Sequence, residues 1–183
     1  MKKVEPIRSR EKIIEMEEIL KIDSYRNFVL FKLGINIGLR ISDLLQLKVK
    51  DIKNKSHIEI REGKTKKFKR QALNPELKMI INNYIKIKKL SDEEYIFKSR
   101  KGNNKPIGRI QAYRILKSAA EKIGLKHIGT HSLRKTYGFH HYKKNKDIAI
   151  LQEIFNHSSP SITLRYIGIN QDIKDQSTKN FYL

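Results

Sequence analysis

Cysteine is absent from this 183-residue chain, and acidic side chains are scarce. Without thiols there can be no disulfide, no thiolate nucleophile and no Cys-containing zinc site, which fits a reducing compartment and predicts a cytoplasmic protein. No run of about 18 apolar residues is present to span a bilayer. The opening Met1-Lys2-Lys3-Val4-Glu5-Pro6 has no apolar stretch behind it to serve as a secretory signal. A membrane is therefore not expected as a partner. Only 19 Asp+Glu stand against 40 Lys+Arg, a net charge of +21 with a pI near 10.1. An AT-rich genome would inflate lysine, but it would not remove acids, so the imbalance points to a polyanion, first of all nucleic acid.

The length suits one domain with a real core and is short for two. Ser9 can cap a helix carrying Ile13, Ile14, Met16, Ile19 and Leu20 at helical spacing. A second helix starts at Asp23-Ser24 and is apolar on nearly every side from Phe28 to Leu39, which makes it the buried spine. A short helix opens at Ser42 or Asp43. From Lys48 to Leu73 the period changes to two, with Val49 and Ile52, Ile58 and Ile60, then Phe68 and Ala72, so a three-stranded antiparallel meander is predicted. Further helices are predicted from Pro75 to about Lys89, from about Gly108 to Ile123, from His131 to Lys144 with Thr130 as N-cap, from Asp147 to Phe155 and from Pro160 to Ile167. The expected class is α+β, mainly α: a helical domain with a small three-stranded antiparallel sheet.

Several residues carry chemistry. On the helix after Thr130, His131 and Arg134 are three apart and share a face near the N-terminus, where partial positive charge and free N–H groups favour an anion. With Lys135 and Lys143 nearby, they could equally form a solvated basic stripe. Arg40 ends the spine helix, and could pair with Asp43 or turn into a cleft. Gly63-Lys64-Thr65 mimics a nucleotide-binding loop, but the G-x-x-x-x-G-K-[ST] pattern fails because Ile58 stands five residues before Gly63, so no nucleotide cofactor is expected. Lys64, Lys66, Lys67, Lys69 and Arg70 instead form a basic hairpin suited to a DNA groove. His127 and His131 have HxxxH spacing, but Gly129-Thr130 breaks the helix between them and no glutamate accompanies them, so no metal is expected. Tyr166 lies nine residues past His157 in a polar helical segment, so the two can meet at one phosphate.

Taken in order, these segments resemble the catalytic domain of the tyrosine recombinases, the phage integrase family. Gly38-Leu39-Arg40-Ile41-Ser42-Asp43 is similar to the family's first arginine segment, His131-Ser132-Leu133-Arg134 to its H-x-L-R step, and Asn156-His157-Ser158-Ser159 with Tyr166 to its final segment. The resemblance implies catalysis by Arg40, Lys64, His131, Arg134, His157 and the nucleophile Tyr166, without metal, ATP or other cofactor. Lys66 and Lys67 are alternatives for the hairpin lysine. It implies DNA contacts by Lys66, Lys67, Lys69, Arg70, Arg100, Lys101 and Lys135. The implied partner is double-stranded DNA, with a monomer in isolation assembling into a homotetramer on paired sites, and the C-terminal tail either docks on a neighbouring subunit or folds back on its own core. Residues 1–183 would form the catalytic domain alone, without the additional N-terminal helical domain that family members commonly carry. The rival expectations are a non-catalytic basic DNA-binding module of the same fold and a type IB topoisomerase-like nicking-closing enzyme.

Overall fold

The structure is a computed structural model that describes residues 4–169, 178–179 and 181–182. Helix α1 (Arg10–Asp23) is capped by Ser9, whose hydroxyl accepts from the Lys12 amide. Helix α2 (Tyr25–Ile37) is the predicted spine, with Val29, Leu30, Phe31, Leu33 and Ile37 fully buried against α1 and the later helices. It ends at Gly38, whose φ of 61° is a left-handed C-cap conformation that glycine adopts without strain. The four-residue helix α3 (Ile41–Leu44) follows at once.

Among the described residues the sheet has two strands, not three: β1 (His57–Arg61) pairs antiparallel with β2 (Phe68–Ala72), Ile60 facing Lys69 and Ile58 facing Gln71. The segment expected as the first strand is a 3-10 turn, Val49–Asp51. Its reason is local. Asp51 accepts from the Lys48 amide at 2.8 Å and closes the turn, and Val49 and Ile52, three apart, are both buried as a threefold period requires. The Val49 and Lys50 amides donate to Glu94 and Asp92 rather than to β1.

Helices α4 (Pro75–Lys88), α5 (Arg109–Lys122), α6 (Thr130–Asn145), α7 (Ile148–Phe155) and α8 (Pro160–Ile167) complete the order. Thr130 is the first helical residue of α6, not its cap; Gly129 occupies the cap and donates its N–H to Ser132 Oγ. Helix α6 lies against α2 so closely that a Cβ on Gly34 would overlap the Leu133 side chain. The apolar interior has two parts. A large core runs through α1, α2, α4 and α5, while a smaller one, with Phe139, Leu151, Phe155, Ile167 and Ile169, joins α6 to α7 and α8. The seam between them is where Arg40, His131, Arg134, His157 and Tyr166 gather. No helix among the described residues is long and apolar enough to cross a membrane. The tail expected to dock on a neighbouring subunit or on its own core falls largely outside the described residues.

Candidate active site

Arg134 is the centre of the seam. Only 3% of it is exposed, and its guanidinium donates from Nη1 to the Gly38 carbonyl at 2.6 Å and from Nη2 to the Phe155 carbonyl at 2.8 Å. The guanidinium carbon also lies 4.4 Å from the Phe155 ring centroid. It therefore joins the end of α2 to the end of α7, and with five N–H groups in all it has donors left for an anion. Arg40, on the cap of α3, reaches Glu62 across the hairpin at 2.6 Å. The expected alternative partner, Asp43, instead accepts from the Gly63 amide at 3.1 Å and fixes the hairpin turn. The Arg40–Glu62 pair meets off-line, and Arg40 Nη1, Glu62 Oε1 and Asp43 Oδ2 are buried without a hydrogen-bond partner among the described residues. Unspent polar atoms in a cationic cleft are a feature of ligand sites rather than of finished cores.

Burial pushes the Glu62 carboxyl up, but the adjoining Arg40 guanidinium, the hydrogen bond from Thr65 and the charge of Lys69 outweigh it, leaving the group below its ordinary range. A depressed carboxyl contributes stability above its unfolded pKa of about 4.3 and loses it as pH falls through the lower folded value. Glu62→Gln is therefore expected to cost about 3 kcal/mol at pH 7, as an abandoned buried guanidinium does. The difference from the unaltered protein should shrink below about pH 4. Urea unfolding at the two pH values measures it.

The two histidines are held neutral. His131 stands at the mouth of the cleft, where partial desolvation and then the charges of Arg134, Lys135, Arg40 and Lys64 push its pKa down. His157 is half-buried and is pushed down to about 4 by desolvation and by Arg134 and Arg40. Its Nδ1 lies 3.1 Å from Thr163 Oγ1, and that hydroxyl can donate to the Ser159 carbonyl at 3.2 Å. Tyr166 lies edge-on to His157 and Phe155, with ring centroids 5.1 and 5.4 Å away. Burial raises the phenol pKa, while the charges of Arg134 and Arg40 and a hydrogen bond with Arg134 pull it back.

Arg40, His131, Arg134, His157 and Tyr166 thus converge, and Lys64 is exposed on the adjacent hairpin turn. The cations expected on DNA divide. Lys66 is exposed, and Arg70 pairs with Glu59 on the outer face of the ribbon. Lys67 reaches Asn156 Oδ1, and Lys69 turns inward to the Ile154 carbonyl. Lys135 is 6% exposed, its Nζ 5.2 Å from the Tyr166 ring centroid. Arg100 and Lys101 line a separate cavity of about 560 Å³ with Arg26, Arg114 and Lys122 at the other end of α2, roughly 20 Å away at 1.5 Å per helical residue. His127, with a φ of 60°, lies before α6, and no three His, Asp or Glu side chains among the described residues are grouped to hold a metal.

Sequence reasoning did not single out Glu62, Thr163 or the inward turn of Lys69. Glu62 was findable, because the alternation that points Ile58 and Ile60 inward continues to it.

The model of the phage integrase family matches residues 9–172, and the chain belongs to that family. It is 52% identical over 178 residues to the probable integrase/recombinase YoeC of Bacillus subtilis (strain 168), covering 97% of each chain. It is 31% identical to the tyrosine recombinase XerA of Pyrococcus furiosus, covering 88% of this chain and 56% of that one, so it spans little more than half of that relative. In three dimensions it is similar to the XerH site-specific recombinase bound to a palindromic difH substrate in a post-cleavage complex. There the TM-score is 0.78 at 20% identity, covering 98% of this chain and 53% of that one.

Proposed function

We propose that the chain is a single catalytic domain of a site-specific DNA recombinase that cuts and rejoins strands through Tyr166. The carrying observation is the convergence of Arg134, Arg40 and two neutral histidines around the Tyr166 phenol. Tyr166 Oη attacks phosphorus, the P–O5′ bond breaks, and a 3′-phosphotyrosine retains the energy of the phosphodiester so that rejoining needs no ATP. Neutral His131 takes the phenol proton, and Lys64 gives a proton to the departing O5′; rejoining reverses both transfers. Arg40 and Arg134 hold the non-bridging oxygens through forked donors. Thr163 orients His157 through Nδ1. Its single hydroxyl proton goes either to the Ser159 carbonyl or to Nδ1, and in the second arrangement neutral His157 carries its proton on Nε2 and offers it to the phosphate.

Double-stranded DNA in the cytoplasm is the partner, consistent with the +21 charge and with the DNA in the XerH complex. Exchange between two duplexes breaks four strands, so four copies, one tyrosine each, form the working assembly on paired sites.

The role of Lys64 is tested by single-turnover cleavage of a nicked duplex. Lys64→Ala is expected to be about 100-fold slower on ordinary DNA and to recover when sulfur replaces the bridging 5′ oxygen, because a thiolate departs without a proton. Full cleavage of ordinary DNA by the variant, or no recovery on sulfur, would contradict proton donation by Lys64.

A further inference from the structure

Three cations from two elements meet three consecutive residues at the end of α7. Lys69 Nζ donates to the Ile154 carbonyl at 2.8 Å, Arg134 Nη2 to the Phe155 carbonyl at 2.8 Å, and Lys67 Nζ to Asn156 Oδ1 at 2.9 Å. The end of a helix presents carbonyls without helical partners and a partial negative charge, so it is a receptor for cations. Asn156, in the left-handed conformation at φ 54°, ends the helix, and His157 follows directly.

Lys69 stands apart from its neighbours. Lys64, Lys66 and Lys67 are exposed, whereas Lys69 is partly buried, opposite Ile60 and on the inner side of the ribbon. The charged groups around it are Arg134 on α6, Arg40 and Asp43 at α3, and Glu62 on the hairpin. No carboxylate among the described residues lies within ion-pair distance of it, so the helix end supplies its hydrogen-bond acceptor. Burial first, and then Arg134, push its amine down to about 8. A depressed lysine pKa means that the charged form costs folding stability at pH 7. The residue is thus poorly explained as a stabiliser of the fold, and the phosphate chemistry described above does not use it.

We infer that Lys69 is a positioning residue that latches the Lys64 hairpin to the C-terminal end of α7, fixing Lys64 relative to His157 and the phosphate. The inference rests on the reading of Lys64 as the leaving-group acid. A two-stranded ribbon is marginal by itself, and its turn is otherwise tied by Asp43 to the Gly63 amide, by the Arg40–Glu62 pair and, on the α7 side, by the solvent-exposed bond from Lys67 to Asn156. Releasing the inner anchor lets the tip drift, and a displacement of about 1 Å can cost on the order of 100-fold in rate.

The experiment compares the full chain with its Lys69→Met, Lys69→Arg and Lys64→Ala variants. Cleavage rates at saturating DNA are measured on oxygen- and sulfur-bridged nicked duplexes, together with DNA affinity and thermal unfolding. Lys69→Met is expected to cleave oxygen-bridged DNA about 10- to 100-fold more slowly, to bind DNA within about threefold of the unaltered protein, and to melt no lower. Like Lys64→Ala, it should recover on sulfur, because it acts through the same proton transfer. Lys69→Arg, which keeps a donor for the α7 carbonyls, should retain most of the rate. Wild-type cleavage by Lys69→Met would overturn the inference. So would a parallel loss of affinity, which marks a phosphate contact, or a lowered melting point with no rescue by arginine, which marks a purely structural anchor. Recovery of Lys64→Ala but not of Lys69→Met on sulfur would overturn the latch and leave Lys64 as the acid. Failure of Lys64→Ala itself to recover would remove the acid assignment and the latch built on it.

Discussion

Arg134→Ala is expected to lower the rate of DNA cleavage at least about 100-fold and to reduce folding stability by about 3 kcal/mol. The rate effect follows from removing a forked cation beside the Tyr166 phenol, where charge develops on the phosphate oxygens. The stability effect has a separate cause. Arg134 donates to the Gly38 and Phe155 carbonyls, one at the end of the spine helix and one at the end of α7, and thereby joins the two apolar cores. Its loss leaves two buried carbonyls without donors, and α7 and α8, which carry His157 and Tyr166, lose their tie to α2. A lysine in its place would keep a charge but could not span both carbonyls in one plane, so Arg134→Lys should recover little of the rate. Single-turnover cleavage normalised to the folded fraction, with urea unfolding of the same samples, separates the two effects. A folded variant cleaving within a few-fold of the unaltered protein would refute the assignment.

Tyr166→Phe should abolish covalent attachment to DNA while changing DNA affinity by no more than about twofold, since phosphate contacts by Lys and Arg dominate affinity. The substitution keeps the ring, and with it the edge-on contacts to Phe155 and His157 and the Lys135 ammonium 5.2 Å from the ring centroid. What disappears is Oη alone. A phenol is protonated at pH 7 and burial raises its pKa further, so attack needs a base as well as cations, and the neutral imidazole of His131 lies within the same charged cluster. Gel analysis under denaturing conditions, beside an anisotropy titration, checks both halves of this expectation.

Most of the helical frame was legible because its signals are local. Ser9, Asn74, Asp147 and Ser159 cap helices as their side-chain chemistry directs, and the apolar run from Phe28 to Leu39 could only be a buried element. The site motifs were legible through order and spacing. The ribbon was not. Its period-two reading took Phe68 and Ala72 as the inward residues, whereas both are outward, Phe68 at 68% exposure, and Lys69 and Gln71 face the helices. A hydrophobicity pattern assumes that the inner face of a strand is apolar. This one turns toward a charged seam, where Lys69 meets a helix end and Gln71 meets Tyr137. The missing third strand has a similar origin. Val49 and Ile52 are both apolar and buried, but Asp51 closes a turn between them, and the long-range partners at Asp92 and Glu94 lie about 40 residues away, beyond any local pattern. The inward place of Glu62 follows from the alternation of Ile58 and Ile60, but its value depends on Arg40, 22 residues earlier.

The central claim is that Tyr166 becomes covalently joined to a DNA phosphate with side-chain cations supplying the charge. Its most direct measurement is incubation of the full chain with a nicked suicide duplex of a recognised site in EDTA, followed by denaturing electrophoresis and peptide mapping. A protease-sensitive protein–DNA adduct is predicted, mapping to Tyr166 and absent from Tyr166→Phe. An adduct that persists in Tyr166→Phe, or no adduct from folded protein bound to that DNA, would contradict the account.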